Sequence, residues 1–136
     1  MINFELLHAN AVLPMRHSFG AAGFDLPLVD DLYLSAGQRL LVPLGVAVSI
    51  PTGYQDEIRA RFSTTVKHGI DVFVDTINSD YCGQLHAFLI NSNDRDLYFE
   101  HGTRLVQLVV TPVYTTSSAD VAAYLRSNNG FGSTGK

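Results

Sequence analysis

Residues 130–136 combine the groups that a phosphate-bearing ligand requires. Phe131 lies between two glycines, Ser133 and Thr134 follow, and Lys136 adds a positive charge. Glycine allows positive φ angles and a close backbone approach to a ligand, and successive backbone N–H groups of such a turn form an anion-binding nest. The stretch is typical of a lid over a nucleotide polyphosphate, with Phe131 against a flat ring. The alternative is a frayed, glycine-rich chain end.

Three upstream clusters could hold or activate such a ligand. In residues 21–26, Asp25 follows a glycine and a phenylalanine, a pattern equally typical of a tight turn that enters a strand. Residues 59–68 hold two arginines, three hydroxyls, a lysine and a histidine. This set suits phosphate because arginine makes bidentate contacts, although a solvated strand end is as good an interpretation. Residues 77–83 include Asp80, which is either a carboxylate for water activation or a structural aspartate.

Composition restricts the classes of protein and ligand. The chain has 136 residues, 46% of them hydrophobic, which predicts a single folded domain. A net charge of −4 argues against a general binder of nucleic-acid polymers. The single cysteine excludes an intrachain disulfide and a cysteine-based zinc site. The five histidines show no paired spacing, so no metal held directly by the protein is expected.

The sequence contains no signal for secretion or membrane insertion. The N-terminus lacks a basic segment followed by an apolar one, which a signal peptide needs. The longest apolar stretch, residues 40–50, is too short to span a bilayer and is interrupted by Pro43 and Gly45. We therefore expect no membrane partner and a cytoplasmic location in the producing or host cell.

The sequence pattern predicts that β-strands position these clusters. Short β-prone runs recur about every ten residues between turn signals, a pattern typical of an all-β sandwich or barrel. They occupy residues 2–7, 31–34, 38–42, 46–50, 54–61, 70–74, 84–91, 96–100 and 105–114. One short helix is predicted at residues 63–68, ended by Gly69.

The composition changes after Tyr114, where a polar segment begins. The predicted organisation is a β domain at residues 1–114 and a C-terminal arm at residues 115–136. An extended arm of this kind spans roughly 60 Å at ~3.3 Å per residue, enough to reach a neighbouring subunit.

In their order and spacing these clusters resemble the five motifs of the trimeric dUTPase (dUTP pyrophosphatase) family. AAGFDL is similar to the family's AAGYDL, and ARFSTTVKHGI lies where the family has PRSGLAxKHGI. IDVFVDTINSDYCG has the length of a form such as IDVGAGVIDxDYRG, and GTRLVQLVV is similar to GDRIAQLI. The closing RSNNGFGSTG resembles RGxGGFGSTG. The resemblance covers residues 20–136.

The resemblance implies a dUTPase-like jelly-roll β-barrel and a homotrimer in which the C-terminal tail closes over a neighbour's site. The family cleaves the α–β phosphate bond of dUTP, with Mg²⁺ held by the triphosphate rather than directly by the protein. Several positions keep a family residue with a role in nucleotide binding. Asp25 lies near the phosphates, Arg61 binds phosphate and Tyr81 packs on deoxyribose. The other kept positions are Gln107, Arg126, the stacking Phe131, and Gly132, Ser133 and Thr134 of the lid.

The departures fall in the second and third motifs. Asn78 stands where the family has the aspartate that deprotonates the attacking water, and an amide is not a general base near neutral pH. Asp80 is kept, at a different position of the motif. Phe62 replaces a phosphate-contacting serine, and Ser63 replaces the glycine after it.

The hairpin that reads the base in the family also differs. Its small Gly-Ala-Gly is here Phe73-Val74-Asp75. These side chains are expected to crowd a pyrimidine, and Asp75 could accept a hydrogen bond from an exocyclic amine, which uracil lacks.

Three functions are consistent with these features. The first is a nucleotide-binding trimer, catalytically impaired at Asn78, that sequesters a nucleotide or nucleotide-derived signal. The alternative is an active pyrophosphatase for dUTP or another deoxynucleoside triphosphate, in which Asp75 or Asp80 holds the water. An engineered Asn78 in an active enzyme would not account for Phe62 or the altered hairpin. The third is a structural protein without a ligand, against which the kept tail argues.

Overall fold

The computed structural model describes residues 1–114, and the arm after Tyr114 lies outside them. The described part is built almost entirely of strands, with one short helix. The strands are β1 Asn3–Leu6, β2 Phe24–Pro27, β3 Leu32–Leu34, β4 Arg39–Ser49, β5 Tyr54–Ala60, β6 Ile70–Phe73, β7 Asp75–Asn78, β8 Gln84–Asn91, β9 Leu97–Phe99 and β10 Arg104–Pro112. The helix, α1, is Phe62–Val66.

Two four-stranded antiparallel sheets form the body of the protein. One has the strand order β1-β4-β8-β6 and the other β2-β10-β5-β7, while β3 and β9 form a two-stranded ribbon. Alternate side chains point into one shared apolar core, as in β8, where every second residue is buried. The largest fully buried side chains include Leu26, Ile58, Leu85, Leu89 and Leu108. The predicted all-β fold is therefore confirmed.

The two sheets are joined at one edge by a very short connection. β6 is an edge strand of the first sheet and β7 an edge strand of the second, and only Val74 lies between them. Beyond the end of β6, the first residues of β8 have no strand partner on that side, because β6 pairs only with residues 88–91. The gap between β7 and the start of β8 is where one of the two clefts described below opens.

One strand replaces two predicted ones. β4 runs through residues 39–49, and its pairing with β8 shifts register between Pro43 and Ala47. Gly45 lies within this irregularity at a φ of 70°. A Cβ atom there would come within 2.8 Å of Val29, so the sequence needs glycine to bend the strand without ending it.

The short helix agrees with the prediction. α1 is followed by Gly69 at a φ of 66°, and the N–H of Gly69 donates to the carbonyl of Thr65. The hydroxyl of Thr64, a buried side chain, donates to the carbonyl of Leu105. This bond fixes α1 against β10 and so determines where the chain enters the helix.

Within residues 1–114 no helix is long and apolar enough to cross a membrane. Five predicted site residues lie outside the described residues, namely Arg126, Phe131, Gly132, Ser133 and Thr134.

Candidate functional site

Asp25 is the centre of a cluster of two arginines and a histidine. Its Oδ1 lies 3.1 Å from Nε of Arg61, and its Oδ2 lies 3.5 Å from Nη1 of Arg104 and 3.3 Å from Nε2 of His17. The carboxylate is only 11% exposed. Three elements meet here, because β2 carries Asp25, β10 begins with Arg104, and Arg61 directly precedes α1. Asp25 therefore holds two arginines in a fixed arrangement.

The backbone around Arg61 is fixed independently of that ion pair. Arg61 has extended φ and ψ angles of −73° and 153°. Its N–H donates to the carbonyl of Leu105, and its Nη1 donates to the carbonyl of Arg104. The guanidinium is thus bound from two directions, and Asp25 takes only part of its hydrogen-bonding capacity, since a guanidinium has five N–H donors.

These groups line an open cleft of about 490 Å³, which we call the cationic cleft. Its lining residues are His17, Ser18, Ala21, Ala22, Gly23, Asp25, Arg61, Phe62, Ser63 and Gln107. A Cβ atom on Gly23 would lie 2.5 Å from Oε1 of Gln107, so glycine is needed for this close approach. The Nε2 of Gln107 donates to the carbonyl of Ala60. An arginine, a histidine, two serine hydroxyls and an amide converge here, which suits a phosphate group.

A second cleft, of about 460 Å³, lies between β7 and the start of β8, and we call it the hairpin cleft. Its lining residues are Asp75, Thr76, Ile77, Asn78, Asp80, Tyr81, Gln84, Leu85 and His86. No lysine or arginine within residues 1–114 lines this cleft, so the described chain offers no fixed positive charge to a phosphate there. An aromatic ring, two aliphatic side chains and several polar groups suit a nucleoside better.

Tyr81 is held tightly at the wall of the hairpin cleft. Its hydroxyl donates to the carbonyl of Gln84 at 2.8 Å, and its N–H donates to the carbonyl of Asn78 at 3.1 Å. A Cβ atom on Gly83 would lie 2.5 Å from the Tyr81 hydroxyl oxygen. The ring therefore lies directly against the Gly83 backbone and presents its other side to the cleft.

β7 determines which side chains face the hairpin cleft. Ile77 is buried, while Thr76 and Asn78 on either side of it are exposed. The strand pairs with β5, with Asn78 opposite Gln55. Asn78 thus points away from the core, close to the turn that carries Asp80.

The predicted site residues divide between the two clefts. Asp25, Arg61, Phe62, Ser63 and Gln107 line the cationic cleft, and Asp75, Asn78, Asp80 and Tyr81 line the hairpin cleft. Within residues 1–114 no residue lines both. A single copy of the chain therefore presents two separate groups of predicted site residues.

Of the three predicted base-reading residues, only Asp75 lines the hairpin cleft. Within the described chain Phe73 and Val74 line neither cleft. The Phe73 ring packs against Phe88, with ring centroids 5.1 Å apart, on the outer face of the first sheet.

Several cleft residues were not predicted. His17 and Arg104 complete the cluster around Asp25, and Thr76, Gln84 and His86 line the hairpin cleft. Arg104 and Thr76 lie inside two of the quoted motifs but had no predicted role, and His17, Gln84 and His86 lie outside the motifs. His86 had a usable signal, since its place in the alternation of β8 puts it on the face away from the core.

Asp56, in the strand β5 that pairs with β7, is a buried acidic residue. It is fully buried in β5, opposite Ile77 of β7 and Val110 of β10, and within residues 1–114 neither carboxylate oxygen has a hydrogen-bond partner. Burial raises the pKa of this carboxyl from 3.8 to about 6, and the charge of Asp75 acts in the same direction. Because a buried unpaired carboxylate is unfavourable, Asp56 is a source of pH-dependent stability.

The dUTPase family model matches residues 9–135 of the chain. The chain belongs to the dUTPase family. The deoxyuridine 5'-triphosphate nucleotidohydrolase of Paramecium bursaria Chlorella virus 1 is 39% identical over 132 residues, which cover 93% of this chain and 92% of that protein. The enzyme of the same name from Oryza sativa subsp. japonica is 34% identical and covers 99% of this chain and 81% of that protein.

Solved dUTPase structures agree with the fold. The dUTPase of Staphylococcus bacteriophage 80alpha, solved as a variant with dUpNHpp, superposes with a TM-score of 0.81 at 24% identity, covering 86% of this chain and 85% of that one. The dUTPase of S. aureus phage phi11 gives a TM-score of 0.82 at 22% identity, covering 86% and 93%. The dUTPase-like jelly roll predicted from the motifs is therefore confirmed, and the chain is a member of a family of nucleotide hydrolases.

Proposed function

We propose that this dUTPase-family chain is a pyrophosphatase of dUTP or another deoxynucleoside triphosphate, with active sites formed between copies of the chain. The observation that carries the proposal is the separation of the two clefts. The cationic cleft offers Arg61 and His17, and its apolar side chains are Ala21, Ala22 and Phe62. The hairpin cleft offers Tyr81 and apolar walls but no lysine or arginine among residues 1–114. The arginine that a triphosphate in the hairpin cleft needs is therefore supplied by another cleft.

A symmetric trimer would bring the cationic cleft of one copy to the hairpin cleft of the next. Arg61, fixed by Asp25 and by the carbonyl of Arg104, would contact the phosphates. Tyr81 would lie against the sugar. The arm would then close over the ligand, with Phe131 on the base and Arg126, Gly132, Ser133 and Thr134 on the phosphates.

The Mg²⁺ that the family implies fits a position on the ligand rather than on the protein. Among residues 1–114 no group of three or more histidine, cysteine, aspartate or glutamate side chains could hold a metal ion. The triphosphate oxygens are the hard ligands that Mg²⁺ prefers. Bound there, the ion would neutralise charge on the phosphates.

The reaction is attack of water on the α-phosphorus, which forms a P–O bond and breaks the bond to the bridging oxygen. The products are a nucleoside monophosphate and pyrophosphate. The amide oxygen of Asn78 can accept a hydrogen bond from the water and orient it. The proton must then go to another group, and Asp80 is a carboxylate that lines the same cleft.

A second candidate function is nucleotide binding with little turnover, in which the chain sequesters a nucleotide or a nucleotide-derived signal. The observation that favours it is Asn78 itself, because loss of general-base assistance lowers the rate of hydrolysis by roughly 10²–10⁴. Both candidates use the same two clefts, and they differ only in the fate of the ligand.

One experiment separates the two candidates. The purified chain is incubated with each of the four standard deoxynucleoside triphosphates and dUTP in Mg²⁺, and both bound nucleotide and released pyrophosphate are measured. Turnover at ordinary enzymatic rates of about 1–10³ s⁻¹ supports the pyrophosphatase. Tight binding with release at least roughly 10² slower supports the second candidate. Arg61→Ala is the control variant, which should abolish both signals.

A further inference from the structure

One buried carboxyl group lies directly behind the wall of the hairpin cleft. Asp56 of β5 is fully buried, and within residues 1–114 neither of its oxygens has a hydrogen-bond partner. It is paired with Ile77 of β7 on one side and with Val110 of β10 on the other. Because Ile77 lines the hairpin cleft, β7 lies between the buried carboxyl and that cleft. The proposed reaction makes no use of Asp56.

The groups around Asp56 within the described chain offer it no positive charge. On β5 itself, the residues two positions away are Tyr54 and the buried Ile58. The buried side chains of β8, in the other sheet, are Leu85, Ala87, Leu89 and Asn91. Among residues 1–114, the charged group that acts on Asp56 is Asp75 at the start of β7, and it is also acidic. A charged Asp56 is therefore both desolvated and repelled.

β7 is the neighbouring strand that separates from β5 most easily. It has four residues, of which only Ile77 is buried, and in the described chain it is an edge strand that pairs with β5 alone. β10, on the other side of Asp56, has nine residues and pairs with both β2 and β5. Separation of β7 breaks few backbone hydrogen bonds, and it lets water from the hairpin cleft reach the carboxyl.

The hairpin cleft keeps its shape only while β7 stays paired with β5. All four residues of the strand, Asp75, Thr76, Ile77 and Asn78, line the cleft. The carbonyl of Asn78 also accepts from the N–H of Tyr81 at 3.1 Å, so displacement of β7 releases part of the opposite wall. The state of the buried carboxyl is thus linked to the shape of the cleft.

We propose that Asp56 is a proton-linked positioning residue for β7 and, through it, for the hairpin cleft. With a neutral Asp56 the strand is paired with β5, and with a charged Asp56 an open state is favoured in which the carboxylate reaches water. The pKa of Asp56 is about 6 in the folded chain and 3.8 for an ordinary aspartate, so opening releases a proton and is favoured as the pH rises. The opening equilibrium should increase roughly 10-fold between pH 5 and pH 8.

Hydrogen–deuterium exchange of the intact chain tests this role. Exchange is followed by mass spectrometry at pH 5 and pH 8 and corrected for the intrinsic exchange rate at each pH. The protection factor of β7 should be lower than that of β8 and should fall roughly 10-fold from pH 5 to pH 8. The matched control is β1, which is also a four-residue edge strand but pairs with β4 and not with β5. Its protection factor should not change.

Two variants remove the titrating group, Asp56→Asn and Asp56→Ala. In both, β7 should have the same protection factor at the two pH values, whereas the exposed Asp94→Asn should behave as the wild type. A wild-type protection factor of β7 that is independent of pH, or that falls equally in both Asp56 variants, overturns the proposal. So does equal protection of β7 and β8, because β7 would then open only when the whole chain unfolds. The wild-type comparison of β7, β1 and β8 decides the matter if a variant does not fold.

The role of Asp56 does not depend on the proposed function, because exchange reports on β7 itself. A second set of measurements adds the α,β-imido analogue of dUTP, which under the proposed function fills the hairpin cleft and slows exchange of β7 at pH 8. Exchange of β7 that depends on pH but not on the analogue supports the role of Asp56 and counts against the proposed function. Exchange that the analogue slows equally at both pH values, with no dependence on pH in its absence, supports the proposed function and overturns the role of Asp56.

Discussion

The Oδ1 of Asp25 lies 3.1 Å from the Nε of Arg61, and this pair links the first two sequence motifs in space. The carboxylate also contacts Arg104 and His17, so it orders two arginines and a histidine around one acidic group. The sequence makes Asp25 a candidate site residue near the phosphates. We propose that it acts by positioning, because its oxygens face the side chains of Arg61, Arg104 and His17.

Replacing Asp25 should therefore weaken substrate binding more than it slows the chemical step. Asp25→Asn keeps the shape but removes the charge that orients both arginines, and we expect the KM for the triphosphate to rise roughly 10-fold with a smaller change in kcat. Steady-state kinetics measure the two separately. The matched control is Asp30→Asn. Within residues 1–114 the Asp30 side chain is exposed, and its one side-chain hydrogen bond is to His8. A fall in kcat with an unchanged KM would contradict the positioning role.

Asn78 is the position that tests how the attacking water is activated. Asn78→Asp supplies a carboxylate at the family's general-base position, but in the proposed pyrophosphatase reaction Asp80 already takes the proton, so kcat should change by less than roughly 10-fold. Pyrophosphate release measures it, with Asn78→Ala as the control that removes the side chain. A gain in kcat of roughly 10²–10⁴ would contradict the role of Asp80 and support the second candidate function.

Asp56 should make the stability depend on pH. Its pKa in the folded chain is about 6, whereas the ordinary value for an aspartate is 3.8, so the folded state binds the proton more tightly than the unfolded chain. The contribution of Asp56 to the free energy of unfolding is fully present below about pH 4. It falls as the pH rises toward 6 and is lost above the folded pKa. The raised pKa corresponds to about 3 kcal/mol.

Asp56→Asn removes this titration. The variant should exceed the wild type in free energy of unfolding at pH 8, and the difference should shrink as the pH is lowered to 4. Urea unfolding at several pH values measures it, with the exposed Asp94→Asn as control. A wild-type minus variant difference that does not change with pH would show that Asp56 does not titrate in this range.

Gly23 should tolerate no side chain. A Cβ atom would meet Oε1 of Gln107 at 2.5 Å, so Gly23→Ala displaces an amide that lines the cationic cleft. We expect weaker triphosphate binding by roughly 10-fold with a small loss of stability. Gly20→Ala is the control, because a Cβ atom there meets nothing within 4 Å. Equal binding by both variants would place Gln107 outside the ligand contacts.

Much of the fold could be read from the sequence, and the exceptions have physical causes. The alternation of β8 and the Gly69 stop after α1 are local signals, and both were predicted correctly. β7 was missed because Asp75–Asn78 has a single apolar residue, Ile77, and is held by backbone pairing to β5. The break predicted inside β4 was wrong because Gly45 bends the strand rather than ending it.

The site was predictable where motifs are contiguous. Asp25, Arg61 and Tyr81 could be named because ordered motifs contain them. Arg104 lies in the fourth motif and His86 lies outside the motifs, and neither was named, since their relation to the site comes from β10 pairing with β2 and from β8 lying beside β7. The division of the predicted site residues between two clefts could not be predicted either, because the sequence does not say which motifs lie side by side in one copy.

The central claim is that each working site needs two copies of the chain, and subunit mixing tests it most directly. Arg61→Ala disables the cationic cleft and Tyr81→Ala the hairpin cleft, and each variant alone should be inactive. The two variants are then unfolded and refolded together in equal amounts. For random assembly into a trimer, about one site in four combines an intact cationic cleft with an intact hairpin cleft, so activity should reach roughly one quarter of the wild-type value. A mixture as inactive as its separate components, while the wild type treated identically recovers, would contradict a shared site.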